Sequence, residues 1–316
     1  MEKNTKKGLI TGLIGVIFVG LQPIVAILRP NAADAYLSGA MTCIVEMMVF
    51  FPIMLIEFKL MNSNNQIFNK RENKVKKFQM LREWRKNFWL FIFIGLLFGL
   101  NQILFFVGYD LAGAINGSLT QKTTVFFSLF LGYLLLKERI TKRQIIFSIL
   151  LFFGLAISIT QFFTLIDINL NILIGVGIIL AISLMWIFGH TLTKPIFGRE
   201  EVTPIQMVFI RNFISGVILL LTYLLIFTPD LKVFIEPDNL LFYTTMGVVY
   251  GSGLLCWYKT LSYLDVSKAT VVFSPTPITS AIFATILLGE DFTIAHLIGT
   301  ILVIISIIII VMQKRS

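Results

Sequence analysis

Two side chains of opposite charge lie inside apolar sequence, and together they could bind a charged solute. Lys122 falls in the stretch NGSLTQKTTVFFSLFLGYLLLKERIT, residues 116–141. The second half of that stretch reads as an apolar helix ending in charge. The first half carries Asn116, Ser118, Thr120, Gln121, Thr123 and Thr124, and is polar nearly all round, which a lipid-facing helix would not tolerate. Glu46 lies in AYLSGAMTCIVEMMVFFPIMLIEF. An ionisable group at mid-bilayer costs about 2.5–3.5 kcal/mol on insertion scales, so each needs a partner or water. At about 1.5 Å per residue, Lys122 lies ~12 Å and Glu46 ~17 Å below the external surface. Those depths let the ammonium reach the carboxylate across a central cavity, and two roles stay open. A fixed Glu46–Lys122 pair would pin two helices and touch no substrate. Alternatively, Lys122 attracts an anionic group such as a carboxylate, and Glu46 neutralises the empty site or carries a proton in exchange.

Further polar groups fall at comparable depths. Arg211 stands about seven residues from the cytoplasmic end of its apolar run; it either snorkels to headgroups or joins the site. Lys259, nearer its run's inner end, is expected to snorkel. His190, with Trp186 one turn away, either packs with a hydrogen bond or lines the cavity. Gln22 precedes Pro23, whose ring should free a carbonyl and bend its helix. Pro275 and Pro277 break another helix in the same way. Gln121, Asn101 and Tyr250 complete the candidate substrate-binding set, with Gln102, Tyr109, Trp257 and Tyr258 behind them.

The elements that position these residues follow from composition. The chain has 316 residues, 57% apolar and only 14% charged, against about 45–50% and 25% in soluble domains. Runs of about 20 apolar residues recur, the length a helix needs to cross a bilayer. Ten spans are expected, at roughly 8–28, 35–58, 88–109, 114–136, 143–163, 171–193, 204–227, 239–262, 267–288 and 294–312. The basic start followed by apolar residues resembles a signal peptide but lacks a small-residue cleavage site, so it reads as a retained first span. With the N-terminus inside, 21 of the 26 Lys and Arg fall on the cytoplasmic side and only Arg29 and Lys232 outside. That asymmetry places both termini in the cytoplasm of a multi-pass cell-membrane protein. The net charge of +9 then needs no nucleic-acid partner. The basic segment 59–87 should lie along anionic headgroups, with Trp84 and Trp89 at the interface.

The sequence also repeats. Shifted by 152 residues, SLFLGYLLLKERIT (128–141) lies over SAIFATILLGEDFT (280–293), matching Ser128 with Ser280, Glu138 with Glu290 and Thr141 with Thr293. Five spans per half is an odd number, so the second copy enters the membrane from the opposite side. Inverted repeats of this kind build secondary transporters, with the site near the midplane between the halves. The predicted fold is an all-α integral membrane protein of ten transmembrane helices in two inverted five-helix repeats, 1–163 and 164–316.

These residues carry a resemblance. VVFSPTPITSAIFATILLGEDFTIAHLIGTILVIISIIII resembles the last two helices of the EamA family of the drug/metabolite transporter superfamily, with Pro275, Gly289, Glu290 and Gly299 in the family's places. Spans four and five repeat the pattern, and Trp186 and Arg211 fall in stretches similar to the sixth and seventh helices. The resemblance covers nearly the whole chain outside 59–87. It implies a central cavity alternately open to each side, cytoplasmic termini, a structural role for Glu138 and Glu290, and a small-molecule substrate. This chain departs from the family in having Lys122–Thr123 where the second half has Pro275, and Glu46 near a customary arginine of the second helix.

Other chemistries find little support. There is no phosphate-cradling Gly-Lys-Ser/Thr loop and no HExxH, so neither an ATP-driven pump nor a zinc enzyme is expected. Cys43 and Cys256 have no metal or disulfide spacing. No cofactor is called for. The sequence favours a gradient-driven transporter of a small polar metabolite, an amino acid or another carboxylate-bearing or zwitterionic solute, with proton coupling open. A cationic or neutral solute, a membrane scaffold and an embedded transferase are the alternatives.

Overall fold

In a bilayer every backbone N–H and C=O must be paired within the protein, which leaves helices as the natural outcome for apolar runs of this length. The computed structural model describes residues 2–63, 84–136, 140–162, 169–264 and 266–312, and among them it contains no strand. The helices are α1 (Glu2–Ile27), α2 (Ala35–Ser63), α3 (Phe88–Ala112), α4 (Ala114–Thr120), α5 (Thr124–Leu136), α6 (Lys142–Thr160), α7 (Leu170–Gly198), α8 (Pro204–Ile226), α9 (Pro237–Tyr263), α10 (Val266–Val272), α11 (Thr276–Leu288) and α12 (Ile294–Met312). Nine described helical stretches are long and apolar enough to cross a membrane. The outer faces are apolar, with Trp89, Leu225 and Ile294 each more than 70% exposed, as lipid requires. The basic segment expected on headgroups falls, for 64–83, outside the described residues, as do Glu138 and the chain end beyond 312. Trp84 packs, partly buried, against the core around Phe91 and Ile196.

The predicted fourth span is not one helix. It divides into α4, a 3-10 turn at Gln121–Thr123, and α5. The cause lies in its hydroxyls, which bond back to preceding carbonyls: Ser118 to Ile115, Thr120 to Asn116 and Thr123 to Thr120, at 2.7–3.0 Å. Such bonds compete with the regular ladder and bend it. The predicted ninth span divides as well, into α10 and α11 with Phe273–Pro275 between them, as its prolines dictate. The two breaks stand at the same 152-residue offset that aligns the sequence.

The packing has a matching regularity. α1 packs on α9 and α11, while α7 packs on α3 and α5; α2 lies against α8, and α6 against α12. Exchanging each span with the one five later leaves this pattern unchanged. At the end of the bundle carrying the α1–α2 turn, an aromatic cluster of Phe105, Phe106, Tyr109, Tyr223 and Tyr243 fills the centre. There the Tyr223 hydroxyl donates to Asp34 at 2.9 Å, and Arg29 pairs with Asp110. At the opposite end Glu201, in the α7–α8 turn, accepts from Lys86 at 2.7 Å and Asn87 at 2.9 Å.

Candidate functional site

The two helix breaks meet. The 3-10 turn between α4 and α5 holds Lys122, whose Nζ donates to the main-chain oxygen of Phe273 at 2.8 Å. Phe273 stands in the gap between α10 and α11. Its carbonyl would ordinarily accept from the N–H four residues on, but that residue is Pro277, which has none. Thr276 supplies its hydroxyl at 2.7 Å and its N–H at 3.2 Å, and Lys122 adds a charged donor. Lys122 is 6% exposed, and its ammonium retains donors for a further partner, since it carries three.

This arrangement corrects the expected Glu46–Lys122 pair, which does not form. The proline-freed oxygen takes the ammonium, and Glu46 finds its own partner. Glu46, wholly buried on α2, accepts at Oε2 from Asn212 Nδ2 at 2.7 Å; its Oε1 has no donor. Asn212 was not anticipated, because an asparagine beside an arginine in an apolar run carries no mark of its partner.

A cavity of about 90 Å³ opens beside the breaks. Gln22, Gln121, Lys122, Trp186, His190, Arg211 and Tyr250 all line it. Glu46 and Asn101 are not in its wall. Asn101 is 1% exposed, and neither atom of its amide finds a protein partner. Trp257 and Thr124 also line the cavity, as do Gly253, Thr270 and Phe273, which sequence reasoning did not single out. The signal for Phe273 was available: it stands four residues before a proline.

Arg211 does not snorkel. It is 2% exposed, with its guanidinium carbon 4.0 Å from the centre of the Phe98 ring. The flat, weakly hydrated guanidinium stacks well on an aromatic face. Tyr250, Tyr258, Glu46 and Cys43 lie around it. His190 sits among the rings of Phe98, Trp257 and Tyr258 at 5.2–5.5 Å. Its Nδ1 has no protein partner, so the expected hydrogen bond is absent at that nitrogen. Gln22 reaches the Tyr250 carbonyl at a long 3.4 Å.

The charge balance of the wall is one-sided. Lys122 and Arg211 are its cations, and no Asp or Glu is among its lining residues. Trp186, Trp257, Phe273 and Tyr250 supply aromatic surface. Such a wall can hold an anionic group at one end of a solute and an apolar body at the other. Among the described residues there is no cluster of His, Cys, Asp or Glu able to hold a metal ion.

Comparison with known proteins agrees with this architecture. A family model described as the EamA-like transporter family matches residues 6–160 and 173–312. A Bacillus subtilis (strain 168) protein named "Uncharacterized transporter YyaM" is 26% identical over 246 residues, covering 74% of this chain and 75% of that protein. An "Uncharacterized transporter" from Methanothermobacter thermautotrophicus is 25% identical over 198 residues, covering 61% of this chain and 55% of that one. A crystal structure of another protein shares the fold, with a TM-score of 0.64 and 13% identity, over 96% of this chain and 98% of the other. The family match spans both halves of the chain, and with it this multi-span membrane protein belongs to the EamA-like transporter family.

Proposed function

We propose that the chain is a secondary transporter that carries a small carboxylate-bearing or zwitterionic solute across the cell membrane by alternating access. The observation that carries this reading is the cavity wall, which holds Lys122 and Arg211 and no carboxylate. An anion entering there gains two cations in a poorly hydrated setting, where charge-assisted hydrogen bonds are strong. The apolar part of the solute lies between Trp186, Trp257 and Phe273. An amino acid fits if its ammonium rests on an indole face. A purely cationic solute meets two like charges.

The halves 1–163 and 164–316 are the moving bodies in this reading, rocking about the site where the broken spans meet. The aligned helix breaks and the exchange-symmetric packing support two related halves. The Lys and Arg distribution supports cytoplasmic termini, which puts the aromatic cluster at the external end and the cavity toward the cytoplasmic half. The solute gradient, alone or with an ion, drives transport.

The experiment is flux into liposomes holding the purified protein, with L-tryptophan and benzoate as anionic-group probes and tetraethylammonium as the cationic control. Saturable uptake of either carboxylate, lost in Arg211→Gln, is the expected result. Uptake of the quaternary amine alone overturns the anion reading. No flux of any solute beside intact folding returns a scaffold.

A further inference from the structure

α5 and α6 follow one another in the chain, and helices joined by so short a turn ordinarily pack as an antiparallel pair. These two do not. α5 packs on α7 and α10, while α6 packs on α12 and α4. They meet at the rings of Phe126 and Phe152, edge to face at 5.1 Å. Toward the turn that joins them they part, and a groove of about 330 Å³ lies between, against about 90 Å³ in the central cavity.

The groove is built for hydrocarbon. Phe126 and Phe130 on α5, and Ile145, Ser148, Ile149 and Phe152 on α6, line it. They stand at the three- and four-residue spacings that share one helix face. Phe130, Ile145 and Ile149 are exposed, so the groove opens sideways onto the bilayer. It shares no lining residue with the solute cavity. Rings and aliphatic chains offer a polar solute nothing, whereas an acyl chain fills the gap with close contacts. Every lipid has such chains, so any selectivity comes from the headgroup.

The charge for a headgroup stands at the groove's end. Lys142 lies three residues before Ile145 and heads the same stripe, and Arg143 follows it. Both are exposed, and neither has an ion pair or hydrogen bond among the described residues. Both open α6, at the positive end of the helix, where cations are unfavourable and an anion relieves them. In sequence the preceding Lys137, Glu138 and Arg139 keep the local charge positive. From Lys142 to Phe152 is ten residues, about 15 Å of helix. That is half of a ~30 Å hydrocarbon core, the depth of one leaflet.

We propose that the α5–α6 groove binds an anionic phospholipid, with an acyl chain between Phe130 and Ile149 and the phosphate on Lys142 and Arg143. Basic pockets between spanning helices hold such headgroups. The lipid stands in for the packing that α5 and α6 lack. α5 begins directly after the 3-10 turn that carries Lys122, so the bound lipid steadies the helix that leads into the solute site. The inference is independent of which solute that site takes.

Native mass spectrometry of the delipidated protein in detergent tests it with two lipids of identical chains, dioleoyl-phosphatidylglycerol and dioleoyl-phosphatidylcholine. Wild type should retain the anionic lipid at about tenfold lower concentration, the size expected of two cations near a headgroup. Lys142→Gln/Arg143→Gln, at two exposed positions, should melt as wild type does and bind the two lipids alike. Ile145→Trp narrows the groove and should weaken retention of the anionic lipid severalfold. Equal retention of both lipids by wild type overturns the inference. A preference that survives Lys142→Gln/Arg143→Gln overturns it too, since another basic surface then holds the headgroup. Undiminished binding in folded Ile145→Trp places the chain elsewhere, and a dimer that excludes lipid gives the groove to a second copy; either result sinks the proposal.

Discussion

The Nζ of Lys122 lies 2.8 Å from the main-chain oxygen of Phe273, and this one bond joins the breaks of two membrane-spanning segments 151 residues apart. The relationship is reciprocal in cause. Hydroxyl back-bonding loosens α4 enough to turn Lys122 inward, and Pro277 denies the Phe273 carbonyl its regular helical N–H. A buried ammonium would be costly alone, and the Phe273 oxygen, which also accepts from Thr276, gives it an acceptor. Together they make a crossing point beside the cavity, where a change in either segment reaches the other.

If Pro277 creates the need that Lys122 meets, the two should be energetically coupled. Lys122→Met should destabilise the protein by about 1–2 kcal/mol, between the values for charge-assisted bonds in water and interhelical bonds in membranes. In a Pro277→Ala background, alanine's N–H can serve Phe273, and the same lysine substitution should cost less by about 0.5–1 kcal/mol. Reversible unfolding in mixed micelles measures all four corners of the cycle. Strict additivity would show that the bond is incidental.

A second cross-chain contact is a helix cap supplied from a distance. The Glu290 carboxylate accepts from the N–H groups of Ala114 at 2.7 Å and Ile115 at 3.0 Å, the first residues of α4 after Gly113 at φ +78°. These are amides that the helix leaves without partners, at its positive end. Glu290→Gln should lower stability by about 1 kcal/mol, and Glu290→Ala by more. Hydrogen exchange at Ala114 and Ile115 should quicken in both; unchanged exchange would remove the cap from the account.

Outside the membrane, Glu201 should give a pH signature. Its hydrogen bonds from Arg199, with those from Lys86 and Asn87, push its carboxyl down from an ordinary 4.5 to about 2. A depressed carboxyl stabilises the fold in full above the unfolded value and loses that contribution as pH falls toward the folded one. The clamp between the start of α3 and the α7–α8 turn should therefore weaken between pH 4.5 and 2. Its charged partners Lys86 and Arg199 are more than half exposed, so the whole contribution is roughly 1 kcal/mol or less. Melting of wild type and Glu201→Gln should differ at pH 6 and converge near pH 2.5; a gap that persists at low pH contradicts the assignment.

Span boundaries were legible because charge, Gly and Pro punctuate them, and the capping boxes of Thr141 with Gln144 and Thr203 with Gln206 fall at two of those boundaries. The break in the ninth span was legible from Pro275 and Pro277. The break in the fourth was not, since Ser and Thr can serve a helix or bend it depending on where their hydroxyls turn. The partner of Lys122 was missed because pairing by charge looks for a carboxylate, whereas the acceptor is a main-chain oxygen. The fate of Arg211 was illegible for a related reason: depth alone allows snorkelling, and only the packing of α3 on α8 brings the Phe98 face beneath the guanidinium.

Two glycines distinguish what shapes the cavity from what holds the bundle. A Cβ at Gly253 would lie 2.6 Å from Gln22 Nε2 and 3.1 Å from Val19 Cγ2. The first is the far end of a flexible side chain, so the chain can adapt, and alanine is a better helix former than glycine. A Cβ at Gly175 would lie 2.5 Å from the backbone nitrogen of Ala112 and 2.9 Å from the Gly108 oxygen. Those atoms belong to α3 and cannot swing aside. Gly175→Ala should cost about 1–3 kcal/mol by overpacking. Gly253→Ala should melt within about 1 kcal/mol of wild type yet displace the Gln22 amide within the cavity and shift solute affinity by about tenfold, equal to roughly 1.4 kcal/mol. Thermal unfolding beside benzoate titration reads both. Unaltered benzoate affinity in a folded Gly253→Ala would place the solute away from Gln22, toward the Lys122 side of the cavity.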